Sequence, residues 1–167
     1  MEQPRIRLGN ADVWLELART GGDSWQITAD WCSWLTADFT ADLSAAEAVD
    51  FVGRMLSHLR APSGGRFSAA VTPGRNNPLT LHAEPGGDGF ALFVRLTPNG
   101  DDDVCHLQME VDPIATLELR EAFNTLHAAL MSDRLERFGQ AAVSSRRPPQ
   151  RMPFASTAVL SPRAVTH

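Results

Sequence analysis

The chain has no lysine and no tyrosine, only two cysteines, and no long apolar run. All fifteen of its cationic residues are arginine, a bias that reflects a GC-rich genome rather than a function. Because no apolar run approaches the ~18 residues of a membrane span and the first residues are too polar for a signal peptide, we expect a cytoplasmic location. In that compartment, Cys32 and Cys105 are predicted to be reduced and buried.

Acidic and basic residues are divided unevenly along the chain. Residues 1–139 contain all 20 acidic residues and 11 arginines, whereas residues 140–167 contain four arginines and no acid. An acidic body argues against nucleic-acid binding by the domain and is compatible with a basic protein partner.

The length of 167 residues is typical of one domain. The last segment has four prolines and no hydrophobic periodicity. The sequence therefore predicts a single α+β domain over residues 1–139 and a basic, proline-rich, disordered tail over residues 140–167.

Residues 24–43 alternate between apolar and polar side chains, which is the pattern of strands with one buried face. A straight strand of this length would span about 66 Å, too long for a domain of this size. We therefore expect a break between Trp31 and Trp34, where the alternation falters. Trp25 and Trp31 fall on the apolar face and are predicted to lie in the core, whereas Trp34 falls on the polar face.

Two helices and a second set of strands follow. Ser44 and Glu47 have the spacing of a capping box, which predicts a helix beginning at residue 45. Three strand-like segments then lead to Asp112 and Pro113, read as the N-cap and first residue of a second helix that ends by Gly139. The predicted fold class is α+β, with antiparallel β-meanders forming a sheet and two helices packed on one face.

No motif in the sequence indicates catalysis or metal binding. The cysteines and histidines lack zinc-ligand spacing, and there is no nucleophile elbow and no phosphate-binding loop. We therefore predict no catalytic residue, no metal site and no cofactor, and read the chain as a protein that is not an enzyme.

The candidate binding residues lie on the polar side of the long alternating stretch. Asp30, Asp38 and Asp42 share this face with Trp34, and the sequence contains no arginine between Arg19 and Arg54. An exposed tryptophan within an acidic strip is a candidate protein interface. A solvated sheet face remains the other interpretation.

The order of these features resembles a known family. The resemblance lies in the stretch Gly22-Asp23-Ser24-Trp25, in the strands after it, and in the helix entry Thr40–Ser44, which is followed by Phe51, Met55, Leu56 and Leu59. In these features the chain resembles immunity proteins of wall-associated contact-dependent toxins and related uncharacterised actinobacterial proteins. The similarity covers roughly residues 5–131. It implies a non-enzymatic protein that binds and neutralises a cognate toxin. From exposure and charge, we expect Trp34 to be the anchor of such a complex, with Asp30, Asp38 and Asp42 around it.

Two alternatives to an immunity-like binder remain open. One is a small-molecule-binding domain or enzyme, which would need a pocket on the sheet with converging polar groups. The other is a homodimeric adaptor that pairs through an exposed strand edge.

Overall fold

Consecutive strands of the chain pair with each other within each half of the fold. The structure is a computed structural model that describes residues 3–61, 64–98 and 105–144, and only the backbone of residues 137–144. Its elements are β1 (Arg5–Gly9), β2 (Val13–Gly21), β3 (Ser24–Trp31), β4 (Leu35–Asp42), α1 (Ala45–Arg60), β5 (Phe67–Ala70), β6 (Leu79–Gly86), β7 (Gly89–Leu96), β8 (Leu107–Ala115) and α2 (Thr116–Ser144).

The α+β class and the antiparallel meanders are confirmed. The strands are divided between two four-stranded sheets, sheet A in the order β1-β2-β3-β4 and sheet B in the order β5-β6-β7-β8. The edge strands β1 and β8 contact each other, and Asn10 donates a 2.8 Å hydrogen bond to Asp112 across this seam. Each sheet is followed in the chain by one helix, so the order of elements in the first half is repeated in the second.

The long alternating stretch breaks where its pattern falters. β3 and β4 pair in register from Ser24 with Asp42 to Trp31 with Leu35. Between them, Cys32 and Ser33 have positive φ angles of 53° and 58°, which reverse the chain within three residues. The tripeptide Thr-Ala-Asp occurs once in β3, at residues 28–30, and twice in β4, at residues 36–38 and 40–42, so these similar segments are parts of one hairpin.

Helix α1 begins as the sequence predicts. The Ser44 side chain accepts a hydrogen bond from the backbone N–H of Glu47, and the Glu47 carboxylate accepts one from the backbone N–H of Ser44. This capping box satisfies donors that the first turn of a helix would otherwise leave unpaired.

The predicted start of the second helix is wrong. Asp112 and Pro113 lie within β8, and α2 begins at Thr116. The β7–β8 register shifts here, so that the two residues stand opposite Ala91 alone. A proline cannot donate a ladder hydrogen bond, and such a bulge is one of the few places in a sheet that accepts it.

Helix α2 runs farther than predicted. It continues through Gly139 to Ser144, past the expected domain boundary between residues 139 and 140. The rest of the predicted tail, residues 145–167, lies outside the described residues.

Both sheets and both helices contribute to one hydrophobic core. Each helix buries one apolar face, since Phe51 and Met55 of α1 and Phe123 and Leu126 of α2 are each at most 2 % exposed. Phe51 and Phe123 meet edge to face, with ring centroids 6.2 Å apart. Among the described residues, no helix is long and apolar enough to cross a membrane.

Two burial predictions are wrong. Trp25 is buried at 1 % exposure, but Trp31 is 46 % exposed, because the buried face of the hairpin extends only as far as Ala29. Cys32 and Cys105 are both exposed free thiols rather than buried ones. Cys32 is exposed because it occupies the turn between β3 and β4.

Candidate functional site

Three large apolar side chains are exposed at one end of sheet A. Trp34 is 87 % exposed, Trp31 46 % and Leu35 41 %. Trp31 and Leu35 are paired residues at the end of the β3–β4 ladder, and Trp34 belongs to the turn between them. We refer to residues 31–35 as the hairpin tip. Adjoining exposed apolar residues of this size are typical of interaction sites.

Hydrogen bonds hold the backbone of the hairpin tip in one conformation. The Asp30 carboxylate accepts a 2.7 Å hydrogen bond from the backbone N–H of Ser33. The backbone N–H of Trp34 donates to the carbonyl of Trp31 at 2.9 Å, and that of Cys32 donates to Asp12 at 2.7 Å. A surface fixed in this way loses little conformational entropy when it binds.

The other two tryptophans are less exposed, since Trp25 is buried and Trp14 is half-buried. Trp25 lies in the core. The guanidinium of Arg7 lies 4.1 Å from the centre of the Trp14 ring, on the outer face of sheet A. The exposed indole surface of the chain is therefore concentrated in the hairpin tip, since all four tryptophans lie within residues 14–34.

The structure distributes the three predicted acidic residues along the hairpin. Asp30 stands next to the tip and caps its turn. Asp38 lies in the middle of β4, where its carboxylate accepts a hydrogen bond from Gln26. Asp42 ends β4, seven residues or about 23 Å from Leu35. Asp30 therefore lies at the hairpin tip with Trp34, Asp38 lies in the middle of β4, and Asp42 lies at the end of β4 farthest from the tip.

Asp42 belongs to a different cluster, at the start of α1. Arg75 donates a 2.6 Å hydrogen bond to the backbone carbonyl of Asp42 and bonds of 2.8 and 2.9 Å to the Glu47 carboxylate. The hydrogen bonds from Arg75, with further bonds from Ser44, lower the pKa of Glu47 from 4.5 to about 2. This cluster ties the loop before β6 to the N-terminus of α1, a structural role.

A second candidate site lies on sheet B. A cavity of about 490 Å³ opens on the outer face of its four strands. Its volume falls within the range of small-molecule sites. Two rows of side chains cross it. The row Ser68–His82–Phe93–Glu110 has one residue from each strand, and the row Thr80–Arg95–Gln108 has one from each of β6, β7 and β8.

The centre of this cavity is aromatic. His82 and Phe93 are cross-strand partners on the two central strands, with ring centroids 6.5 Å apart and planes inclined at 58°. Phe93 is 37 % exposed, although its neighbours in β7, Leu92 and Val94, are buried on the core side. The sheet thus presents a ring to the cavity, with one cation, Arg95, two residues farther along the same strand.

The described side chains supply no obvious catalytic set. His82 Nε2 lies 3.6 Å from the Glu84 carboxylate, and Ser68 is the cross-strand partner of His82. In the described part of the chain no hydrogen bond joins Ser68 to His82, so these three residues do not form a nucleophilic triad. Nor do any three described His, Cys, Asp or Glu side chains come close enough to hold a metal ion.

Sequence reasoning missed the residues of the cavity. A signal was present in β7, because Phe93 alternates with the apolar Leu92 and Val94. It therefore falls on the same side of the strand as Ala91 and Arg95, opposite the buried side. An aromatic residue at an outward position of a central strand is the feature that could have identified this face. The meeting of the two rows, by contrast, depends on the register of four strands.

No protein-family model matches the chain, and neither does any curated protein.

Proposed function

We propose that this protein is a non-enzymatic binding protein that docks on a basic partner protein through the hairpin tip, as an immunity protein does when it neutralises a toxin. The observation that carries the proposal is the exposure of Trp34, at 87 %, beside the partly exposed Trp31 and Leu35. Tryptophan is among the residues that contribute most binding energy at the centres of protein interfaces.

The fixed backbone of the tip supports docking. Hydrogen bonds from Ser33, Trp34 and Cys32 hold the turn before any partner arrives. A preorganised apolar projection suits a recess on the partner surface, because binding then costs little ordering of the loop.

The charge around the tip supports a basic partner. Asp30 and Asp38 lie on the same hairpin, and the sequence has no arginine between Arg19 and Arg54. A partner with arginines or lysines around an apolar recess would complement this surface and would be steered to it. Enzymes that cleave RNA are often basic for the sake of their substrate, so a cytoplasmic ribonuclease toxin fits the chemistry.

The test begins with capture of partners on the immobilised wild-type chain and on two variants. Trp34→Ala removes the anchor, and Leu117→Ala is the matched control, because Leu117 is also exposed, at 65 %, but lies on α2. We expect one basic protein to be retained by the wild type and by Leu117→Ala and lost by Trp34→Ala. With the partner purified, Trp34→Ala should weaken affinity by about thirtyfold or more.

Rates and growth assays complete the test. Asp38→Asn should slow association at low salt, and the effect should disappear at high salt. Expression of the captured protein alone should arrest growth of the host, and co-expression of the wild type, but not of Trp34→Ala, should restore it.

Equal retention by Trp34→Ala would refute the tip as the interface. A partner that is harmless to the cell would refute the immunity role, and self-association abolished by Trp34→Ala would assign the tip to a second copy of the chain.

A further inference from the structure

The cavity on sheet B has features that the docking proposal does not use. It lies on the outer face of β5–β8, away from the β3–β4 turn, and it is lined by both aromatic and charged side chains. We propose that it binds a small planar aromatic acid, with the ring on Phe93 and His82, the acid group on Arg95 and a ring N–H donated to Glu110.

The ring component follows from the position of Phe93. On a solvated sheet face, an outward phenylalanine on a central strand exposes apolar surface to water, and here 37 % of it is exposed. His82 lies beside it, with the ring centroids 6.5 Å apart and the ring planes inclined at 58°. A planar ligand stacked on Phe93 next to His82 would remove the exposed Phe93 face from water.

The acid component follows from Arg95. It stands two residues from Phe93 on the same strand and face, which separates the two Cα atoms by about 7 Å. Its guanidinium can bind a carboxylate or phosphate with two parallel hydrogen bonds. Thr80 and Gln108 are its partners on the neighbouring strands and add a hydroxyl and an amide to the same row.

Glu110 sets the remaining requirement. It is the partner of Phe93 on β8, so its carboxylate borders the ring position rather than the acid position. A carboxylate there accepts hydrogen bonds and repels a second anion. The preferred ligand therefore carries a donor on its ring and its negative charge only at the other end. The same carboxylate, together with Glu84 beside His82, disfavours a nucleic-acid strand, which carries a charge at every residue.

A matched series of probes tests each component by titration calorimetry on the full chain. Indole-3-propionate has the ring, the N–H and the acid. 3-(2-Naphthyl)propionate lacks the N–H, 3-cyclohexylpropionate lacks the planar ring, and tryptamine replaces the acid with an ammonium group. We expect affinity to fall in that order, with no measurable heat for tryptamine.

Variants then locate the site. Phe93→Ala and Arg95→Gln should each weaken indole-3-propionate about tenfold. Both residues point outward, so the thermal midpoint of each variant, measured in parallel, checks that the fold persists. Trp34→Ala should leave probe affinity unchanged, and Phe93→Ala should leave capture of the basic partner unchanged. Failure of this inference is thereby distinguished from failure of the docking proposal.

Four outcomes would overturn the inference. The first is that no probe binds at millimolar concentration, and the second is that tryptamine binds as tightly as indole-3-propionate. The third is that Trp34→Ala loses probe binding. The fourth is that a polyuridine oligonucleotide binds more tightly than indole-3-propionate and that this binding depends on Phe93. The last would assign the sheet face to single-stranded RNA instead.

Discussion

The first half of the chain and the second have the same order of elements but expose apolar surface in different ways. Each half is a four-stranded meander followed by a helix. In the first half, the large exposed side chains lie at the end of a hairpin, at Trp31, Trp34 and Leu35. In the second half, Phe93 lies in the middle of the sheet and faces a cavity.

This difference bears on what each half can bind. Side chains at the end of a hairpin reach outward and can enter a recess on another macromolecule. A ring in the middle of a sheet, at a cavity, suits something small enough to enter that cavity. We therefore propose that one architecture, used twice, presents one surface for a protein and another for a small molecule.

The largest predicted effect tests whether the two halves form one folding unit. Phe123→Ala removes a fully buried ring of α2 that packs on Phe51 of α1, and it should cost about 3–5 kcal/mol of unfolding free energy. All four tryptophans lie in the first half. Urea unfolding followed by tryptophan fluorescence should therefore report this second-half substitution in full. A shift seen by circular dichroism but not by fluorescence would show that the halves unfold separately.

The tight turn between β1 and β2 is tested by Gly9→Ala. Gly9 has a φ of +114°, and an added Cβ would lie 2.1 Å from the Val13 carbonyl oxygen within the turn and 3.1 Å from Val111 of β8. We expect a loss of at least about 2 kcal/mol by chemical denaturation. The control is Gly53→Ala, in α1 with no atom within 4 Å, which should stabilise the fold by about 0.5–1 kcal/mol. Equal effects at the two glycines would contradict the close approach of the chain at Gly9.

An ion pair joins β2 of the first half to α2 of the second. Arg19, with a side chain 4 % exposed, pairs with Asp133, which is 32 % exposed. Asp133→Ala should cost about 2 kcal/mol, less than for a fully buried pair because water reaches one partner. Asp50→Ala breaks the exposed pair with Arg54 within α1 and should cost only about 0.3–0.5 kcal/mol. Similar losses in thermal unfolding would show that the Arg19 pair contributes no more than a surface contact.

The smallest predicted effect is a change of folding stability with pH that arises from the contact between Arg75 and Glu47. The pKa of Glu47 is lowered from 4.5 to about 2 in the folded state, chiefly by its hydrogen bond from Arg75. Its contribution to stability is therefore complete above pH 4.5 and is lost as the pH falls toward 2. Because the pair is partly exposed, we expect about 1 kcal/mol. Glu47→Gln should be less stable than the wild type at pH 7 and should approach it near pH 2; a constant difference would contradict this.

Local sequence patterns determine several elements of the fold independently of tertiary contacts. The alternation over residues 24–43 gave the β3–β4 hairpin and its break, and Ser44 with Glu47 gave the start of α1. These features depend on the alternation of apolar and polar side chains and on hydrogen bonds between residues close together in the chain. They can therefore be predicted from the sequence. The exposure of Trp34 follows in the same way from its place in the turn.

Tertiary structure alone decided the rest. Trp31 falls on the same side of its strand as the core residues, but the described residues leave that end of the hairpin partly uncovered, so it is 46 % exposed. Asp112 and Pro113 have the local signature of a helix start, yet pairing with β7 extends the strand past them. The cavity on sheet B requires residues from four strands in one register. Burial, strand pairing and cavities depend on contacts between distant residues, whereas the sequence determines only the local preferences that those contacts confirm or override.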